Sequence, residues 1–202
     1  MDLASVLPLA FVMVAGPQII SAFFFATSGD WKRESAAYVL GASLSITLVV
    51  TVGFLLASKL GGGDDSDEGI AWAIVALLVF AMVHTFRKRG ESEPPKWMGK
   101  LQTATPKLAF ILGFLLLGFF PSDVVTSLSV GAHLGNRGDP WWNALPFVAL
   151  ALLLLASPAL GVVLLGKRAE AFLPKVRDWM NVNSWIVSEV VIAFFIVIVL
   201  SG

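Results

Sequence analysis

Two carboxylates stand inside long apolar runs of this sequence, Asp123 and Glu189. A carboxylate at the centre of a membrane span costs ~2.5–3.5 kcal/mol on insertion scales, so one that persists there is kept for pairing or for function. Glu189 lies eight residues past Asn181, which is ~12 Å along a helix rising 1.5 Å per residue. Asn181, Ser184 and Ser188 line the same region at helical spacing. A carboxyl that takes up and releases a proton at that depth has the chemistry proton coupling needs; the alternative is a hydrogen-bonded glutamate that fixes helix contacts. Asp123 lies beside a stripe of Ser122, Thr126, Ser129 and His133, whose spacing puts the four on one helical face. It reads as part of a wall or gate, or as a solvated position near the outer surface. The hydroxyls of the stripe serve equally well as ordinary helix–helix contacts.

Each half of the chain has a proline in an apolar run. One is in Ala15-Gly16-Pro17-Gln18, the other in Phe120-Pro121-Ser122-Asp123. Proline donates no N–H and its ring crowds the carbonyl four residues back. Lipid cannot satisfy the backbone groups freed by such a break, so it survives only against protein or a wet cavity. Interrupted segments in matching places of two halves point to a transporter's binding site. Pro17 suits the first turn of a new helix, whose free N–H groups attract anionic or acceptor groups. A substrate site is therefore expected between Gly16, Pro17, Gln18 and Ser21 on one side and Pro121, Ser122, Asp123 and Thr126 on the other.

Positioning these residues requires a membrane bundle. Of 202 residues, 57% are hydrophobic and 14% charged, against about 25% charged in soluble domains. Six spans are expected: Leu3–Ser28, Ser35–Ser58, Ile70–Phe86, Leu108–Val130, Asn143–Leu165 and Asn181–Leu200. The loops after spans one, three and five carry twelve of the fourteen Lys and Arg residues. Cytoplasmic loops retain such residues, which puts both termini outside. The fold class is thus all-α integral membrane, with a first three-helix repeat over 1–86, a basic cytoplasmic linker over 87–107 and a second repeat over 108–202. Ser43, Thr47 and Thr51 form a stripe on span two expected to face span one. Arg168–Met180 reads as an interfacial amphipathic helix, and the acidic loop 61–68 as a solvated external tip.

Other chemistries find no support in the sequence. Lys+Arg and Asp+Glu balance at 14 each, and no basic patch points to nucleic acid. There are no cysteines and only two well-separated histidines, His84 and His133, so no Cys- or His-based metal site is expected. No nucleotide loop or nucleophile–base pair is present, so neither an enzyme nor a cofactor is expected.

The halves look alike. A shift of 104 places Pro17 on Pro121, a shift of 109 places Gly29-Asp30 on Gly138-Asp139, and a shift of 113 places Trp72 on Trp185. Three spans per half is an odd number, so the second half runs inverted relative to the first. Counted from opposite faces, each proline lies ~21 Å deep, and the two breaks straddle the midplane of a core about 30 Å thick.

The run Ala15-Gly16-Pro17-Gln18, then Ser28-Gly29-Asp30-Trp31-Lys32-Arg33 and the Gly41-containing second helix, resembles the start of the lysine-exporter (LysE) superfamily. Within it the chain looks most like the glycolipid-addressing branch of GAP or Sap-like proteins. That resemblance implies a six-helix inverted-repeat exporter in the cytoplasmic membrane of a prokaryote, often a homo-oligomer, meeting membrane lipids and a small-molecule or lipid-like substrate. Amino-acid exporters carry Pro-Gly-Pro and Asn-Pro where this chain has Ala15-Gly16-Pro17 and Phe120-Pro121, which argues for another cargo. Three readings follow: an exporter of a small polar or lipid-related metabolite, a divalent-cation exporter of the same superfamily, and a non-transporting scaffold for lipid export.

Overall fold

The computed structural model describes residues 3–14, 16–60 and 105–166, together with 172, 175, 176, 178 and 179. Among these residues all regular structure is helical. The first span divides into α1 (Leu3–Val14) and α2 (Pro17–Ala26). Gly16 separates them at φ 125°, a backbone region that side chains other than glycine's avoid. Helix α3 (Trp31–Leu60) follows a short connection. It begins four residues before the expected start because the Asp30 carbonyl already accepts the N–H groups of Arg33 and Glu34. Helices α4 (Pro106–Phe119) and α5 (Pro121–Asn136) form one apolar segment bent by 68° at Phe120. A 3-10 turn, Trp141–Ala144, leads into α6 (Leu145–Leu165). Two helices, Trp31–Lys59 and Trp141–Leu165, are long and apolar enough to cross a membrane, and the bent pair makes a third crossing if it is one span. The third and sixth expected spans, Ile70–Phe86 and Asn181–Leu200, lie outside the described residues, and Glu189 with them.

Helix α3 is built inside out relative to a helix in water. Leu40, Leu44, Leu48, Val52 and Leu56 are exposed at intervals of four. The opposite face buries Tyr38, Ala42, Ser45, Ile46 and Val50 against α4 and α5. Small residues let membrane helices approach closely where the hydrophobic effect gives no drive to associate. A Cβ on Gly41 would overlap the Phe110 carbonyl, and one on Gly113 would overlap the Tyr38 carbonyl. Further along, a Cβ on Gly53 would meet Leu128 and one on Gly131 would overlap the Val50 carbonyl. Each crossing is thus a reciprocal pair in which the residue three before each glycine supplies the carbonyl. Positions rise together on both partners, so α3 runs parallel to α4 and α5.

The two crossings also explain the shape of the break. Twelve residues of α3 separate Gly41 from Gly53, but eighteen separate Gly113 from Gly131. At 1.5 Å per residue the α4–α5 path is ~9 Å longer than the stretch of α3 it accompanies. The 68° bend takes up the difference.

Helix α6 packs on α1, α2 and α3. It carries Pro158 in its interior, which leaves the Leu154 carbonyl without its N–H partner. The Ser157 hydroxyl donates to that carbonyl at 2.7 Å, the kind of repair that makes proline tolerable in lipid. On α3, Thr51 accepts a hydrogen bond from Trp141 Nε1 at 3.1 Å. This stripe residue therefore meets the turn before α6 and not span one as expected, because the face of α3 at that level is taken up by the α5 crossing.

Candidate functional site

The first residues of α2 and α5 come together. Gln18, second in α2, donates through Nε2 to Asp123 Oδ2 at 2.6 Å. Asp123 is third in α5, and the bond joins two interrupted segments 105 residues apart in sequence. Both side chains are buried, Gln18 at 1% exposure and Asp123 at 0%. Ser122 donates to the other carboxylate oxygen, Oδ1, at 3.0 Å. A helix N-terminus carries about half a positive charge, so two such ends and two side-chain donors surround the one carboxylate.

The local chain dictates this arrangement. Pro17 and Pro121 each occupy the first helical position, where the missing N–H costs nothing and φ is preset. The residues just after each proline then project from a first turn whose backbone donors have no partner within the helix. Pro17 is half-buried and Pro121 exposed. Gly16 contributes space. A Cβ there would stand 3.1 Å from Gln18 Oε1, and that buried oxygen has no hydrogen-bond partner among the described residues.

The remaining expected residues are occupied differently. Ser21 donates to the Pro17 carbonyl at 2.7 Å and Thr126 to the Ser122 carbonyl at 2.8 Å. Both hydroxyls thus bond back to their own helix four residues earlier, stiffening the two first turns. The Ser122–His133 stripe does not stay on one buried face: Thr126 is buried, but His133 is exposed. The buried face of α5 instead runs through Asp123, Thr126, Ser127, Val130 and Leu134.

Several partners were not visible from the sequence. Tyr38 of α3, fully buried, donates to the Gln18 carbonyl at 2.8 Å and packs against Phe25 with ring centroids 5.1 Å apart. It fixes the backbone of the residue that grips Asp123. Ser127 points at Met13 Sδ of α1, 3.8 Å away. Near the start of α3, Glu34 and Ser35 are buried, with Glu34 Oε2 and Ser35 Oγ unpaired among the described residues. Only the break motif and the buried carboxylate gave a signal in advance; Tyr38 and Met13 look like any apolar-run residue. In the expected interfacial segment, Phe172 and Trp179 are helical and exposed. Among the described residues no three His, Asp or Glu side chains cluster.

Compared with known proteins, the chain matches over residues 6–202 the family model described as Sap, sulfolipid-1-addressing protein. No curated protein and no solved structure matches it.

Proposed function

We propose, from the premise that this chain belongs to the Sap, sulfolipid-1-addressing protein family, that it is an exporter of an amphipathic, lipid-related metabolite. The family description and the apolar helices make it a membrane protein with a role in addressing a glycolipid. The finer reading is a secondary carrier, not an enzyme. It works by alternating access in the cytoplasmic membrane of a prokaryote, within the lysine-exporter superfamily, among membrane lipids and as a homo-oligomer.

The observation that carries this reading is the Gln18–Asp123 bond between two proline-broken segments. Broken helices whose N-termini face one another at the interface of two halves are how secondary transporters build a central site. In this state the pair is buried, so the centre is closed. Opening requires α2 and α5 to part, which exposes two first turns of free N–H groups and the side chains of Gln18, Ser122 and Asp123 to a polar headgroup. The parallel course of α3 and α4–α5 supports the six-span topology. Parallel helices need an odd number of crossings between them, and the expected span Ile70–Phe86 supplies one. Span one, joined to α3 by a short connection, then opposes span four, as an inverted repeat requires.

The test is movement of a sulfated glycolipid with a fluorescent acyl chain between the leaflets of reconstituted vesicles, read by quenching of the outer leaflet. The wild-type protein moves the probe. Gln18→Leu slows it about tenfold, equivalent to ~1.4 kcal/mol and within the strength of a buried interhelical hydrogen bond in a membrane. No movement by the wild type favours the scaffold reading, and equal rates in both proteins remove Gln18 from the site.

A further inference from the structure

We propose that the Gln18–Asp123 pair is the proton-binding site of the transport cycle and that Asp123 is the group that carries the proton. This rests on the reading of the two breaks as the moving centre, and it assigns the coupling ion and its residue.

The geometry houses both protonation states. As a carboxylate, Asp123 accepts from Gln18 Nε2 on Oδ2 and from the Ser122 hydroxyl on Oδ1. Gln18 must then turn its amide nitrogen toward Asp123, which leaves Oε1 buried over Gly16 with no partner among the described residues. As a carboxylic acid, Asp123 becomes a donor. A half-turn of the Gln18 amide about its last torsion brings Oε1 round to accept that O–H. A hydronium ion gives its proton to one carboxylate oxygen and leaves as water; no other covalent bond changes, the Nε2–H···Oδ2 hydrogen bond is exchanged for O–H···Oε1, and Nε2 takes the place of Oε1 over Gly16. A single vacant acceptor suits one proton. A metal cation needs several oxygen ligands, and the contacts that Asp123 makes here are with donors.

Among the described residues, Gln18 of α2 and Ser122 of its own helix bond to Asp123 directly. From α3 comes Tyr38, whose hydroxyl already donates to the Gln18 carbonyl. Proton uptake therefore acts on the bond that ties α2 to α5, and that bond must break for the centre to open. Glu189, the coupling residue expected from the sequence, lies outside the described residues; Asp123 stands at the meeting of the two breaks.

Infrared difference spectra of the reconstituted full-length protein, recorded across a pH jump without cargo, test this. The wild type shows a protonated-carboxyl stretch that appears and disappears with pH. Asp123→Asn removes it, and Glu189→Gln keeps it. Survival of the band in Asp123→Asn, its loss in Glu189→Gln alone, or its absence from the wild type overturns the proposal. If Asp123→Asn does not fold, Ser122→Ala decides. Loss of its donated hydrogen bond moves the midpoint of the band by about one pH unit, and an unmoved midpoint overturns the proposal. Because the band is read without cargo, a titrating Asp123 in a protein that moves no lipid defeats only the export reading. Lipid movement with no Asp123 band defeats only this one.

Discussion

Gly113→Leu is expected to destabilise the protein by about 3 kcal/mol, the upper part of the range for overpacking a tight contact, measured as a shift in its unfolding midpoint in detergent. The new side chain meets backbone, because a Cβ at Gly113 overlaps the Tyr38 carbonyl and nearly touches Ala42 N. Backbone cannot change rotamer, so α3 and α4 must separate. That separation reaches the site: Tyr38 holds the Gln18 carbonyl at 2.8 Å, and moving it slackens the residue that holds Asp123. The control is Gly161→Ala in α6, where nothing stands within 4 Å of the added carbon. There alanine gains about 1 kcal/mol of helix propensity over glycine, and the midpoint holds or rises. If Gly113→Leu leaves the midpoint unchanged, the close parallel crossing is wrong.

The second large effect separates stability from function. Asp123→Leu leaves the buried Gln18 amide and the half-buried Ser122 hydroxyl without their acceptor. Hydrogen bonds between membrane helices are worth about 0.6 kcal/mol on average and ~1.7 at most, so the expected loss of stability is only about 1–2 kcal/mol. Movement of the fluorescent glycolipid, by contrast, is expected to fall by about a hundredfold or more, equivalent to ~2.7 kcal/mol. The double variant Gln18→Leu with Asp123→Leu removes both buried polar partners together, a change that is often nearly neutral for stability. It should recover the unfolding midpoint but not the lipid movement. Recovery of both would mean that the pair merely glues the helices, and a glue has no part in a transport cycle.

The breaks were legible because proline and glycine act locally. Gly16-Pro17 and Phe120-Pro121 stop a helix whatever surrounds them, and α2 and α5 begin at those prolines. That the breaks face one another followed from counting spans and depth, but which side chains meet did not. Nothing in the sequence pairs Gln18 with Asp123 over Ser21 or Thr126, since all four are polar groups within five residues of a proline. The hydroxyls turned out to serve their own helices, a habit of Ser and Thr in such settings. The glycines of α3, α4 and α5 were visible as letters, yet only a facing backbone shows why a side chain is excluded at Gly41, Gly53, Gly113 and Gly131. Pro158 leaves α6 unbroken, and Ser157, its neighbour, repairs the carbonyl it strands. Thr51 was assigned to the wrong neighbour because helical spacing fixes a face but not what lies against it.

The meeting of the two broken segments can be measured directly, since the chain has no cysteine of its own. Cysteines placed at Gln18 and Asp123 in one full-length chain, with a protease site inserted in the loop 61–68, are treated in membranes with a short thiol-to-thiol cross-linker and then cleaved. The account predicts that the two halves stay joined, and that they part when either cysteine is omitted. Halves that separate freely with both cysteines present would contradict it.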